Sequence, residues 1–155
     1  MGKIISQTEA VKIRRTCRRN KKKVVFTNGC FDMIHRGHVE YLAKAKKLGD
    51  ILIVALNTDI SVRKLKGNSR PVMRLADRSY IMSHLDMVDY VTSFGALTPK
   101  AIIANLLPDI LVKGGDYKAE EIVGADDVRK AGGKVVVIPF VKGRSSSDII
   151  KKLKR

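Results

Sequence analysis

Acidic residues are scarce: 15 Asp and Glu stand against 31 Lys and Arg, a formal net charge of +16 in 155 residues. That imbalance predicts attraction to polyanions without saying which kind. Aromatic residues make up only 5% and tryptophan is missing, so few platforms exist on which single-stranded bases could stack, which argues against a nucleic-acid-binding module. No apolar run approaches the roughly 20 residues needed to cross a bilayer, and Met1 to Arg15 lack the apolar stretch of a secretory signal. A cytoplasmic protein with no membrane partner is therefore expected. Cysteine is limited to Cys17 and Cys30, too few for a disulfide scaffold and not spaced as metal ligands, so both read as reduced thiols.

The hydrophobic content of 45% is ordinary, and the length suits one globular domain. Much of the positive charge is concentrated between Lys12 and Lys23, with a second cluster at Lys151, Lys152, Lys154 and Arg155. Either is a solvated surface, a site for small phosphorylated ligands, or the face of a basic nucleic-acid-binding module. Ser6-Gln7-Thr8-Glu9 has capping-box spacing and predicts an N-terminal helix ending near Asn20. We read residues 1–21 as a helical extension and 22–155 as the functional domain.

From Lys23 onward, apolar runs of strand length alternate with segments of helical period, the pattern of an α/β fold around a parallel sheet with helices on both faces. Five strands are expected, at residues 24–27, 51–56, 88–92, 110–112 and 134–138. Helices are expected at 37–48, with Val39, Leu42, Ala43 and Ala45 inward, and at 77–85, 99–106, 120–131 and 146–153. Polar or glycine-rich segments follow four of these strands: residues 28–38, 57–66, 113–116 and 142–147. In open parallel sheets ligands bind outside the carboxyl ends of the strands, where strand order reverses, so these four segments are expected to converge.

The first of them carries most of the chemistry. His35 and His38 lie three residues apart at a predicted helix start, which puts both imidazoles on one face of the first turn, and Gly37 between them leaves the backbone open to close approach. A helix N-terminus offers unpaired amide donors and a positive dipole end to an anion. Two histidines there suit a phosphate group that accumulates charge; taken in isolation they read first as surface decoration or half a metal site, the latter weakened because no nearby Cys, Asp or Glu completes a ligand set in sequence. Gly29 permits a sharp exit from the strand, and Asp32 either caps the helix or orients the loop. Arg78 reads as a phosphate ligand or as half of a helix-surface ion pair, and His84 as a surface histidine.

Phe31-Asp32-Met33-Ile34-His35-Arg36-Gly37-His38 resembles the H-x-G-H segment of the cytidylyltransferase-like nucleotidyltransferase superfamily. The longer run from Thr27, together with Asn57 to Gly67, Arg70-Pro71-Val72, Asp77-Arg78, Leu111 to Tyr117 and Gly143 to Ser147, is similar to the heptose 1-phosphate adenylyltransferase branch over about residues 22–153. The resemblance implies a Rossmann-like five-stranded sheet and transfer of AMP from ATP to a sugar 1-phosphate for lipopolysaccharide or surface polysaccharide synthesis. It implies catalytic roles for His35, His38, Lys66 and Arg144. Nucleotide contacts fall to Asn28, Gly29, Cys30, Phe31, Asp32, Gly37, Lys64, Lys113, Gly114, Asp116, Ser145, Ser146 and Ser147, and substrate contacts to Asp32, Asn57 and Arg78. Lys64 and Lys66 would cover the phosphates from a mobile loop. Related sequences often carry threonine where Ser146 and Ser147 stand, a change that keeps the hydroxyl. Mg²⁺ is expected to arrive with ATP, without a protein metal cage, and a homodimer is implied. Glycerol 3-phosphate cytidylyltransferases and FMN adenylyltransferases share the motif, so the substrate is less fixed than the reaction.

Overall fold

A computed structural model describes residues 1–115, 117–139, 146, 149 and 150. The first strand is one the periodicity does not reveal. Lys3–Ile4 (β1) pairs in parallel with a later strand. The capping box then forms as the sequence requires: the Ser6 side chain accepts from the Glu9 amide and the Glu9 carboxylate accepts from the Ser6 amide, opening helix α1, Gln7–Arg19. β2 (Val24–Gly29), α2 (Arg36–Lys46) and β3 (Ile51–Asn57) follow. Next come α3 (Asp59–Lys66), α4 (Leu75–Ser83), β4 (Tyr90–Phe94) and α5 (Lys100–Leu106). β5 (Ile110–Gly114), a 3-10 turn at Ala119–Glu121, α6 (Ala125–Lys130) and β6 (Lys134–Ile138) complete the described elements.

All strands are parallel, in the order β1-β4-β3-β2-β5-β6. The sheet thus has six strands rather than five. The extra one is two residues long, too short for an alternating pattern to show, and backbone pairing of Lys3 with Tyr90 and Ile4 with Val91 defines it. Alternation along the strands divides the core between the two faces. Val24, Phe26, Ile53 and Ala55 pack with Ala10 and Cys17 of α1 and with Ile102, Ile103 and Leu106 of α5, whereas Val25, Leu52, Val54 and Leu56 pack with Tyr41, Leu42 and Ala45 of α2 and with Met82 of α4. Each fully buried Leu, Ile or Phe contributes about 1.5–3 kcal/mol of apolar burial, and the sheet is covered on both sides as a parallel sheet requires.

Three further expectations are corrected. Residues 59–66 form a helix, not an open loop: Thr58 caps it by accepting from the Ser61 amide, and Ser61 and Val62 bury one side. The single helix expected over 120–131 is split, because Gly124 takes φ +83° and a Cβ there would lie 2.6 Å from the Ile103 side chain. On α2, Val39 and Ala43 are only half-buried, while Tyr41 turns inward. Its hydroxyl lies 2.6 Å from Thr27 Oγ1, and burial pushes its pKa up to about 12. The closing helix at 146–153 falls largely outside the described residues.

The amino ends of the strands are tied by carboxylates. Asp50, Asp89 and Asp109 accept from the backbone amides of Lys23, Leu52 and Val24, and Asp109 also takes the buried Arg14 guanidinium of α1 at 2.9 Å. At the carboxyl ends, among the described residues, no carboxylate accepts from a strand amide.

Candidate active site

The chain crosses β2, β3 and β4 in one direction and then returns to place β5 on the other side of β2, so strand order reverses between β2 and β5. These two strands pair only at Val25 with Ile110 and Phe26 with Leu111. Beyond that register they part, opening a crevice at the carboxyl ends. Asn28 and Lys113 face each other across it, with Lys113 Nζ 3.5 Å from Asn28 Oδ1. Burial holds the Lys113 ammonium below its ordinary pKa, and the Cys30 sulfur works in the opposite direction.

The β2–α2 loop enters this crevice with an unusual backbone. Phe31 and Met33 both take positive φ, at 44° and 60°, a conformation that costs non-glycine residues on the order of 1 kcal/mol each. Surrounding groups hold it. The Phe31 ring packs edge-on against His38 with centroids 5.2 Å apart, the Met33 carbonyl accepts from Ser146 Oγ at 3.3 Å, and a Cβ at Gly29 would lie 2.9 Å from the Phe31 ring.

His35 is the N-cap of α2. Its Nδ1 accepts the Gly37 amide at 3.1 Å, and its own amide is directed to Nδ1 of His38 at 3.4 Å, so the pair form a capping box built from two imidazoles. The rings stack at 3.9 Å between centroids. With each Nδ1 engaged as an acceptor, the proton of the neutral imidazole belongs on Nε2. His38 is held neutral: burial, and then the positive charges of His35 and Lys66, lower its pKa to about 4. His38 therefore presents a neutral N–H donor beside the amide-rich start of a helix, in surroundings of net positive charge.

Asp32 does not face this crevice. Its side chain is fully buried and accepts from Arg70 Nε at 2.6 Å, from the Val72 amide and from the Met73 amide at 3.0 Å. Burial alone would raise its pKa, but the bonds from Met73, Val72 and Arg70 together hold the carboxyl below the usual value. Of the two readings open for Asp32, orienting a loop is what the geometry gives, and the loop is residues 70–73. Arg78 is likewise consumed. Completely buried, it donates to the carbonyls of Met73, Cys30 and Asn57 and to Asp59 Oδ1. It is neither a surface ion pair nor directed to solvent; it ties the ends of β2 and β3 to α3 and to the segment before α4. Asn57 is buried and donates to Ser61 Oγ.

Lys64 and Lys66 lie exposed in the last turn of α3. The structure thus gathers Asn28, Gly29, Cys30, Phe31, Gly37, His35, His38, Lys113 and Ser146 about the β2–α2 loop, with Lys66 close enough to act on His38. It places Asp32, Asn57 and Arg78 in the scaffold behind them. Asp116, Arg144, Ser145 and Ser147 lie outside the described residues. Tyr41, Asp59 and Arg70, to which the sequence assigned no role, complete that scaffold; Asp59 and Arg70 fall in segments that carry the family resemblance, whereas Tyr41, inside a predicted helix, had no signal of its own. Among the described residues no three His, Cys, Asp or Glu side chains gather as a metal site.

A family model described as Cytidylyltransferase-like matches residues 26–152. The chain is 58% identical over 132 residues to the Bifunctional protein HldE of Citrifermentans bemidjiense, covering 85% of this chain and 27% of that one. It is 49% identical over 152 residues to the protein of the same name from Citrobacter koseri, covering 98% and 32%. The chain therefore spans about a third of the length of these relatives. Among solved structures it resembles the lipopolysaccharide core biosynthesis protein of Thermoplasma volcanium GSS1, with 29% identity, a TM-score of 0.64, and 79% of this chain and 99% of that chain covered. Pantoate-beta-alanine ligase from Francisella tularensis shares the fold at 16% identity and a TM-score of 0.63, covering 99% and 77%.

Proposed function

This chain belongs to the cytidylyltransferase-like family, and on that premise we propose that it is a nucleotidyltransferase moving AMP from ATP to a heptose 1-phosphate, with release of pyrophosphate, in the synthesis of ADP-heptose for lipopolysaccharide or related surface polysaccharide. The observation that carries the reaction is the paired-imidazole cap of α2 at the point where strand order reverses. The substrate rests on the heptose-branch motifs and on the identity of 49–58% to the HldE relatives.

In this reaction an oxygen of the sugar phosphate attacks the α-phosphorus, a new P–O bond forms, and the bond to the β-phosphate oxygen breaks. A phosphate monoester has its second pKa near 6, so the nucleophile is charged at neutral pH and no side chain need remove a proton. The protein's work is alignment and neutralisation of charge. His35 and His38 donate Nε2–H to phosphate oxygens, the amides at the start of α2 add further donors, and Lys66 with Lys64 supplies positive charge from the end of α3. Lys113 and Asn28 bound the opposite wall. Arg144, Ser145, Ser146 and Ser147 hold the β- and γ-phosphates, and Asp116 serves base, ribose or sugar hydroxyls. Asp32, Asn57 and Arg78 act by holding the loops.

ATP enters as its magnesium complex. Both carboxylate oxygens of Asp32 are already engaged, and the ion fits as a companion of the triphosphate. Residues 22–155 constitute the transferase domain in this reading, which works in the cytoplasm, where ATP is supplied, as a homodimer.

Pyrophosphate release tests it. The chain is incubated with ATP or CTP, Mg²⁺, and heptose 1-phosphates, glycerol 3-phosphate or FMN, beside a His35→Ala/His38→Ala variant. Release from ATP and a heptose 1-phosphate that is lost in the variant is expected; release only from another pair replaces the substrate, and none from any pair overturns the reading.

A further inference from the structure

The positive charge that the site does not use is gathered at the opposite pole of the sheet. α1 runs back along one face and ends beside the amino end of β2, where Lys22 N–H bonds to the Cys17 carbonyl and Lys23 begins the approach to the strand. α2 ends at the same pole: the amides of Asp50 and Ile51 both bond to the Lys23 carbonyl. Arg18, Arg19, Lys21, Lys22, Lys23 and Lys47 are all exposed there, and none of them forms an ion pair among the described residues. The neighbouring acids offset them only in part: six cations outnumber Asp50 and Asp86, the exposed acids at this end that form no ion pair among the described residues. Asp50, Asp89 and Asp109 each accept from a strand amide, and two of them are further paired with Lys46 and Arg14.

We propose that this pole is a docking surface for an anionic lipid bilayer. The charge is dense and exceeds that of the acids around it, and the segment from Gln7 to Lys23 contains no aromatic residue, so it offers no aromatic ring on which a base could stack. Its apolar residues are turned inward: Ala10 and Cys17 lie in the core and Val11 and Ile13 pack against it. What remains is a purely electrostatic surface drawn from two helix ends and a turn. A sheet of lipid phosphates satisfies such a surface through charge alone, at about a five-fold gain in affinity per cation near the membrane. A cavity of about 230 Å³ at this end is lined by Met1, Lys3, Ile51, Asp86, Val88, Asp89 and Tyr90. It carries the carboxylates of Asp86 and Asp89 and none of these six cations. The absence of a spanning segment led the sequence to suggest no membrane partner, but peripheral docking needs none. Because the pole is opposite the β2–β5 crevice, a docked protein keeps that crevice facing away from the lipid. The inference is independent of which reaction occurs there.

The test is sedimentation of the full chain with vesicles of phosphatidylcholine alone or mixed with phosphatidylglycerol, at low and high salt, beside a Lys22→Gln/Lys23→Gln/Lys47→Gln variant and a 20-base-pair RNA duplex as competitor. The variant changes only exposed side chains, and its fold is checked by its circular dichroism and melting temperature. Expected are binding to anionic vesicles only, loss at high salt, and a fall on the order of 100-fold in the variant. Equal partition to neutral and anionic vesicles, or unchanged binding by a folded variant, overturns the proposal. Displacement by RNA at equal phosphate concentration transfers the surface to nucleic acid instead.

Discussion

His35 and His38 stack at 3.9 Å with each Nδ1 facing a backbone amide. Two imidazoles so close cannot both carry charge cheaply, and the accepting role of Nδ1 opposes a second proton on either ring.

His38 should titrate near 4 by histidine NMR. In the unfolded chain it titrates near 6.5, so the folded state binds fewer protons between those values and stability falls as pH drops through that window. Lys66→Ala, which removes one of the positive charges acting on the ring, should raise the folded pKa. An unchanged pKa in that variant would place Lys66 away from the imidazole pair.

Replacing Arg78 with methionine should cost on the order of 3 kcal/mol in denaturant unfolding. The change leaves Asp59 without its partner and removes the donor from the carbonyls of Cys30, Asn57 and Met73. A loss below 1 kcal/mol would mean that water replaces the guanidinium.

For Asp32→Asn, a loss of about 2 kcal/mol at neutral pH is expected from the weakened bonds to Arg70, Val72 and Met73. The folded carboxyl has a lowered pKa, so its stabilisation is fully present above the unfolded value of 3.8 and is lost as pH falls through the lower folded one. The parent and variant melting temperatures should therefore converge in strong acid.

Gly29→Ala places a methyl group against the Phe31 ring, which packs on His38. We expect a destabilisation of about 1–2 kcal/mol and, as the aromatic cover shifts, movement of the His38 pKa toward 6.5. A thermal melt and the same NMR titration measure both.

Much of this was legible in the chain. The β6 limits, the N-terminal capping box, the crevice position and the grouping of His35, Gly37 and His38 all follow from local features: period, caps, glycine and the rule that ties loops to strand ends. Lys3–Ile4 and α3 were not legible, since one is too short to show a period and the other is a polar stretch whose helix depends on Thr58 capping it and Val62 being buried.

The sequence by itself determined the family, the parallel α/β architecture and the motif at the head of α2, because these are written in contiguous residues. Only the tertiary structure decided what the polar groups around the motif do. Asp32 and Arg78 looked available for ligands, yet folding brings Arg70, Val72 and Met73 to one, and Cys30, Asn57, Asp59 and Met73 to the other. A buried charge must find partners wherever the chain delivers them, and those partners lie up to 48 residues away in sequence, a distance no local pattern can report.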